Sequence, residues 1–236
     1  MTHYRKIGVK STAFVFNFDT ENRFFLNKSS VDMRNTQKMS NIAILASGSG
    51  TNAQRIIEHF SDSDVARVVF VASENTSAYA LTRAQNAGIE ALAFSMTAFR
   101  SGELQEQLLR RNVDFVVLAG FLKLVPPAMV EAFTGRMVNI HPALLPNYGG
   151  KGMFGHHVHE AVLANGETQS GITIHYVNGV YDTGDVIFQA TCPVLATDTP
   201  DTLAERIHDL EHRYFPQVIE SVIRGDRHFN GLDLSI

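Results

Sequence analysis

An amide, an imidazole and a carboxylate in this chain can be read together as one reaction centre. Asn139 and His141 lie in the run Asn139-Ile140-His141-Pro142-Ala143-Leu144-Leu145-Pro146, and Asp182 follows 41 residues after His141 in Tyr181-Asp182-Thr183-Gly184. Residues 136–141 read as a strand that Pro142 ends, because proline has no N–H to give a sheet ladder. Side chains alternate along a strand, so Asn139 and His141 point to one side and Ile140 to the other. An amide donor beside an imidazole at a strand's carboxyl end, joined by a carboxylate from a later loop, makes an acid–base and oxyanion-stabilising set. None of the three is a strong nucleophile in this company. That points to direct group transfer, with no covalent enzyme intermediate.

The elements that must position these groups follow a regular pattern. Apolar runs at 41–46, 65–72, 91–94 and 114–119 alternate with helical stretches at about 52–60, 78–87 and 103–111. Such alternation predicts an α/β fold, a Rossmann-like, mostly parallel sheet with helices on both faces. Ligands of such sheets bind beyond the carboxyl ends of the strands, where 47–52, 120–125 and 139–141 fall. Runs 172–177 and 186–190 read as strands flanking the Asp182 loop at the far edge of the sheet. Thr199-Pro200-Asp201 opens a last helix with the apolar stripe Leu203, Ile207, Leu210 and Tyr214. Pro216 is expected to kink or interrupt it before Arg224-Gly225. There is no internal repeat and no low-complexity tract.

Composition narrows the function classes. A hydrophobic fraction of 44% with 19% charged residues is that of a chain able to bury a real core. The net charge of −4 argues against a nucleic-acid partner. The single cysteine, Cys192, excludes an internal disulfide and suits a reducing, cytoplasmic setting. No apolar run approaches the roughly 20 residues needed to span a bilayer, so no membrane association is expected. Residues 1–39 hold seven basic and three acidic residues, against 13 and 21 in the remainder. They lack the apolar core of a secretory signal, and Asp19 and Glu21 weaken a transit-peptide reading. The division expected is an N-terminal extension over 1–39, disordered or loosely docked, and one domain over 40–236.

Other motifs have competing explanations. The turn Ser47-Gly48-Ser49-Gly50-Thr51-Asn52-Ala53, between strand and helix, lets backbone amides and a helix N-terminus approach an anion. It also fits a dinucleotide pattern with Glu74 as a ribose acid, but lacks the lysine of a P-loop. A phosphate-bearing small molecule suits it better than an unliganded turn. Residues 149–159 combine four glycines with His156, His157 and His159, the pattern of a mobile loop over a site. No cysteine or acidic ligand accompanies these histidines, so no metal is expected. One imidazole would bind an anion while another caps or packs the following helix. His175, within a strand, reads as a structural histidine, and His208, Glu211, Arg206 and Arg213 as ordinary charged helix positions.

Together, Ser47–Asn52, Leu118-Ala119-Gly120-Phe121, residues 139–146, Gly171-Ile172-Thr173-Ile174-His175 and Tyr181–Gly184 occur in an order that resembles the phosphoribosylglycinamide formyltransferases. The resemblance covers about residues 40–224 and lies within the folate-dependent formyltransferase superfamily. It implies a formyltransferase fold and transfer of formyl from the co-substrate 10-formyltetrahydrofolate to the amine of glycinamide ribonucleotide, in purine synthesis. It further implies that Asn139, His141 and Asp182 are catalytic and that Gly50, Thr51 and Asn52 hold the substrate phosphate. Glu211 and Gly120 would serve the amine, and Lys123, Leu124 and Val125 the folate. The resemblance offers His157 as the phosphate-side histidine, although the 149–158 loop is longer than the family form, and His208 stands where glutamine or lysine is expected. Partners are then small molecules alone, with a monomer or homodimer as the working form. A 10-formyltetrahydrofolate deformylase, using water as acceptor, is the nearest rival. Transfer to methionyl-tRNA lacks a further basic domain, and a sugar-nucleotide formyltransferase stays open. A non-catalytic nucleotide-binding module leaves Asn139, His141 and Asp182 without purpose.

Overall fold

The computed structural model describes residues 38–226. The extension read over 1–39 lies, but for its last two residues, outside the described residues. Seven strands form one sheet: β1 (Ser40–Leu45), β2 (Ala66–Ser73), β3 (Glu90–Ala93), β4 (Phe115–Leu118), β5 (Met137–His141), β6 (Gln169–Tyr176) and β7 (Val186–Pro193). Their spatial order is β3-β2-β1-β4-β5-β6-β7. The first five are mutually parallel, and β6 and β7 add antiparallel. The chain steps outward from β1 to β3, then returns to the other side of β1 for β4. Loops leaving β1 and β4 therefore diverge, which opens a crevice at their carboxyl ends.

Strand alternation divides the core in two. Ile42, Ile44, Val117, Val138 and Ile140 face one layer, built by α1 (Thr51–His59), α2 (Tyr79–Asn86), α6 (His156–Ala164) and α7 (Pro200–Arg224). Ala43, Leu45, Val116, Leu118 and Met137 face the other, built by α3 (Met96–Ser101), α4 (Glu103–Arg110) and α5 (Pro127–Ala132). Both faces of the parallel region are thus covered, which is why its strands read as continuous apolar runs. Among the described residues, no helix is long and apolar enough to cross a membrane.

α7 is not interrupted at Pro216, which sits inside one continuous helix of 25 residues. Proline there removes a backbone bond and costs roughly 3 kcal/mol in an isolated helix. Here Pro216 is buried, and its neighbours Phe215, Val218 and Ile219 are fully buried against the sheet layer. That packing holds the helix together. Its start is secured by a capping box between Thr199 and Thr202.

Candidate active site

The face of β5 that carries Asn139 and His141 also carries Met137, yet beyond Met137 the covering is polar instead of helical. In the β5–β6 register Asn139 lies opposite His175 and His141 opposite Thr173, and in β6–β7 Thr173 lies opposite Gln189. Directly opposed residues share a face, so three strands contribute one polar stripe. Thr173 and Gln189 use it to fix the turn after His141. Thr173 Oγ1 donates to Ala143 O at 2.7 Å and accepts from Leu145 N at 3.0 Å, while Gln189 Nε2 donates to Leu145 O at 3.0 Å. His175 holds Asn139: the Asn139 Nδ2 and His175 Nε2 atoms are 3.1 Å apart, and His175 Nδ1 is 2.8 Å from Tyr176 O. A carbonyl can only accept, so Nδ1 carries the proton and Nε2 receives the amide hydrogen.

Asp182 arrives from the β6–β7 connection in a left-handed conformation with φ 55°. The connection folds tightly onto the end of β6. A Cβ on Gly184 would stand 1.7 Å from Tyr176 O, so only glycine fits there. Asp182 Oδ1 then lies 3.5 Å from Asn139 Nδ2 and 3.7 Å from His175 Nε2, and Oδ2 lies 3.6 Å from His141 Nδ1. From the opposite side the 148–150 backbone closes on the pair. Tyr148 O accepts from His141 Nε2 at 2.8 Å, and Gly150 N–H donates to Asp182 Oδ2 at 2.9 Å. The proton of neutral His141 is therefore on Nε2, and its Nδ1 lone pair faces Asp182.

Electrostatics refine the expected roles. Burial lowers the His141 pKa below the ordinary imidazole value, although Asp182 and the Tyr148 carbonyl both pull it up. The Asp182 charge favours the protonated ring, but desolvation of a ring only 3% exposed outweighs it. Burial of Asp182 would raise its pKa, yet the His175 and His141 rings, whenever they carry a second proton, and the Gly150 N–H more than offset this and hold it below the ordinary aspartate value. The resting pair is thus a neutral imidazole beside a carboxylate anion.

A cavity of about 580 Å³ opens over this centre and reaches the first glycine-rich turn. Gly50, with φ 71°, is the N-cap of α1, and no side chain caps the helix. The free amides of the first turn make a ready anion site. Asn52 Nδ2 donates to Glu211 Oε2 at 2.9 Å, tying α1 to α7. Glu211 is 6% exposed, and burial raises its pKa against the opposing effects of Asn52 and His208. A carboxylate so placed gains most from a cationic or hydrogen-donating ligand.

Of the predicted site residues, Gly50, Thr51, Asn52, Gly120, Lys123, Asn139, His141, Asp182, His208 and Glu211 all line this cavity. Leu124, Val125 and His157 do not. Leu124 is 45% exposed and Val125 is buried in the α3–α5 layer. His157 points outward, with Nδ1 3.5 Å from Glu160. Two residues further along α6, on the other side of the helix, the buried His159 reaches the cavity instead, and burial with neighbouring histidines pulls its pKa down to about 4. His208, 3.9 Å from Glu211, sits on the rim and is not simply a solvated charge. Sequence reasoning missed His159 as a lining residue and His175 as the partner of Asn139. Among the described residues, no group of three or more His, Cys, Asp or Glu side chains is arranged to hold a metal ion.

Comparisons with known proteins agree with this geometry. The profile of the family described as formyl transferase matches residues 40–219. The chain is 41% identical over 188 residues to the chloroplastic phosphoribosylglycinamide formyltransferase of Arabidopsis thaliana, covering 77% of this chain and 64% of that protein. It is 38% identical over 187 residues to the phosphoribosylglycinamide formyltransferase of Escherichia coli (strain K12), covering 76% of this chain and 85% of that one. The crystal structure of glycinamide ribonucleotide transformylase 1 from Symbiobacterium toebii superposes with a TM-score of 0.74 at 38% identity, over 79% of this chain and 89% of the other. The chain thus spans less than two thirds of the length of the Arabidopsis relative.

Proposed function

The chain belongs to the formyl transferase family, whose profile it matches over residues 40–219, and we propose that it transfers formyl from 10-formyltetrahydrofolate to the amine of glycinamide ribonucleotide, a step of purine biosynthesis. One observation carries the reading. Asn139, His141 and Asp182 open onto the same cavity as an uncapped helix N-terminus and the buried carboxylate Glu211. A site that delivered formyl to water would have no use for the last two. In this reading the α1 amides at Gly50–Asn52 take the phosphate, and Glu211 takes the donors of the glycinamide substrate. The wall at Phe121–Lys123 takes the reduced folate.

The chemistry follows from the protonation states. The neutral amine attacks the formyl carbon, and the carbonyl oxygen becomes an oxyanion. Asn139 Nδ2 spends one hydrogen on His175; the other meets only Asp182 at 3.5 Å, and is the one free to turn to the oxyanion. His141 Nδ1 carries a lone pair and takes the proton that the amine sheds. The resulting imidazolium is stabilised by Asp182 at 3.6 Å. The same proton then passes to the departing folate nitrogen as its bond to the formyl carbon breaks. One N–H is lost from the amine and one is gained by the folate, so the balance closes.

The test follows formyl release from 10-formyltetrahydrofolate spectrophotometrically, with and without glycinamide ribonucleotide. Turnover that requires the amine is expected. Equal turnover without it would replace the transferase by the deformylase reading.

A further inference from the structure

Glu74, directly after β2, is an acid at the sheet's carboxyl edge that the proposed chemistry leaves unused. Its position is that of a ribose acid in a dinucleotide site, but its oxygens are already engaged. Oε2 accepts the Ser47 hydroxyl at 3.1 Å, and Oε1 lies 3.6 Å from the Lys123 ammonium, with the Glu74 side chain 8% exposed. Ser47 is itself a junction. Its N–H donates to Gly120 O at 3.0 Å, its Oγ accepts Leu122 N–H at 3.0 Å, and its carbonyl accepts Asn75 Nδ2 at 3.3 Å.

These bonds sit at the β1–β4 switch point, where the loops diverge. The last backbone bond across it joins Ser47 to Gly120. Beyond that bond the crevice is held by side chains alone, from Glu74 through Ser47 to the Leu122 amide and from Glu74 to Lys123. Leu122 and Lys123 both line the cavity. We propose that Glu74 is a positioning residue for the folate wall of the cavity, fixing the Phe121–Lys123 backbone through Ser47 and the lysine charge directly. This rests on the proposed function. A carboxylate suits the task because its two oxygens accept from a hydroxyl and an ammonium at once. Glutamine keeps one acceptor and turns a donor towards the ammonium; alanine keeps nothing. Because Lys123 is 42% exposed, the ion pair adds little to folding stability, and its effect falls on ligand geometry.

The experiment compares wild type, Glu74→Gln and Glu74→Ala by steady-state kinetics in each substrate, by direct titration with a non-reactive reduced-folate analogue, and by thermal unfolding. Glu74→Ala should raise the formyl-donor KM and the analogue Kd by about tenfold, with kcat and the amine-substrate KM within about twofold. Glu74→Gln should fall between, and both should melt close to wild type. Parallel changes in both KM values, or a loss tracking the melting temperature, would overturn the inference and leave Glu74 a structural residue. An analogue Kd that neither variant alters would overturn it also, while leaving the proposed function intact. Wild-type protein that fails to bind the analogue would sink the proposed function and this inference together.

Discussion

Gly50 and Gly152 both adopt left-handed backbones, with φ 71° and 93°, in loops that border the same cavity, yet they answer to different constraints. A Cβ on Gly50 would stand 2.6 Å from the Cα and Cβ of Ala80, whereas one on Gly152 would meet nothing within 4 Å. The first turn is held on every side. Arg83 donates to Ser49 O at 2.9 Å, Ala80 N–H to Gly48 O at 3.2 Å, and Asn52 reaches Glu211. The second has few anchors: Gly150 N–H on Asp182, Met153 N–H on Gly150 O, and the Tyr148 side chain. A crowded loop fixes where an anion sits; an open one can wrap the reacting groups and still release them. The trio proposed to be catalytic lies between these two designs, with Asn139 and His141 on a rigid strand and Asp182 tied to the open loop.

Asn139→Ala removes a donor held on the rigid side, and kcat should fall a hundredfold or more with the fold intact. A loss below tenfold would mean that the amide does not meet the developing charge. Gly50→Ala combines left-handed strain with a clash against Ala80, a cost of roughly 2–4 kcal/mol in denaturant unfolding, with a raised amine-substrate KM. Gly152→Ala carries only the strain, about 1 kcal/mol, and should leave that KM alone. Equal costs at the two glycines would erase the distinction between the loops.

Tyr148→Phe probes the open loop at its anchor. The hydroxyl donates to Glu167 at 2.7 Å and accepts from Asn165 at 2.9 Å, and the same residue's carbonyl holds His141 Nε2. Its loss should slow kcat by about threefold, roughly the worth of a partly exposed hydrogen bond. An unchanged kcat would detach that anchor from the histidine. The smallest expected effect is an absence of change. Burial holds His141 below the usual imidazole range and Asp182 is held below the usual aspartate range. Both keep their reactive forms as pH falls, so kcat at saturation should stay level through about pH 6.5. A fall centred there would show an ordinary imidazole.

Much of this was legible in the chain, and the gaps have physical causes. Continuous apolar strands and their alternation set the layer architecture, and Asn139 and His141 share a face as strand geometry requires. The pairing of Asn139 with His175 was not legible, because it depends on the register of an antiparallel strand that starts 28 residues after β5 ends. The short helices α3 and α5, six residues each, offer too little periodicity to be seen. α6 begins at His156 after Gly155, with no side-chain cap to announce it. Residues 156–159 therefore read as loop, and the phosphate-side imidazole was placed at His157, whereas His159, two residues on and on the other side of the helix, is the one that lines the cavity. Helix spacing alone made Glu211 an ordinary charged position, while the family resemblance gave it the amine; the Asn52 contact gives it the inward face that role needs.

The most direct test of the account is the turnover of Asp182→Asn with both substrates saturating, alongside a melting curve. Asparagine keeps the shape and can still accept from Gly150, but it removes the charge that stabilises a protonated His141. The expected kcat is at least a hundredfold below wild type, with both KM values and the melting temperature nearly unchanged. A variant that turns over near the wild-type rate would show that the reaction does not depend on this carboxylate, and the site would have to be assigned again.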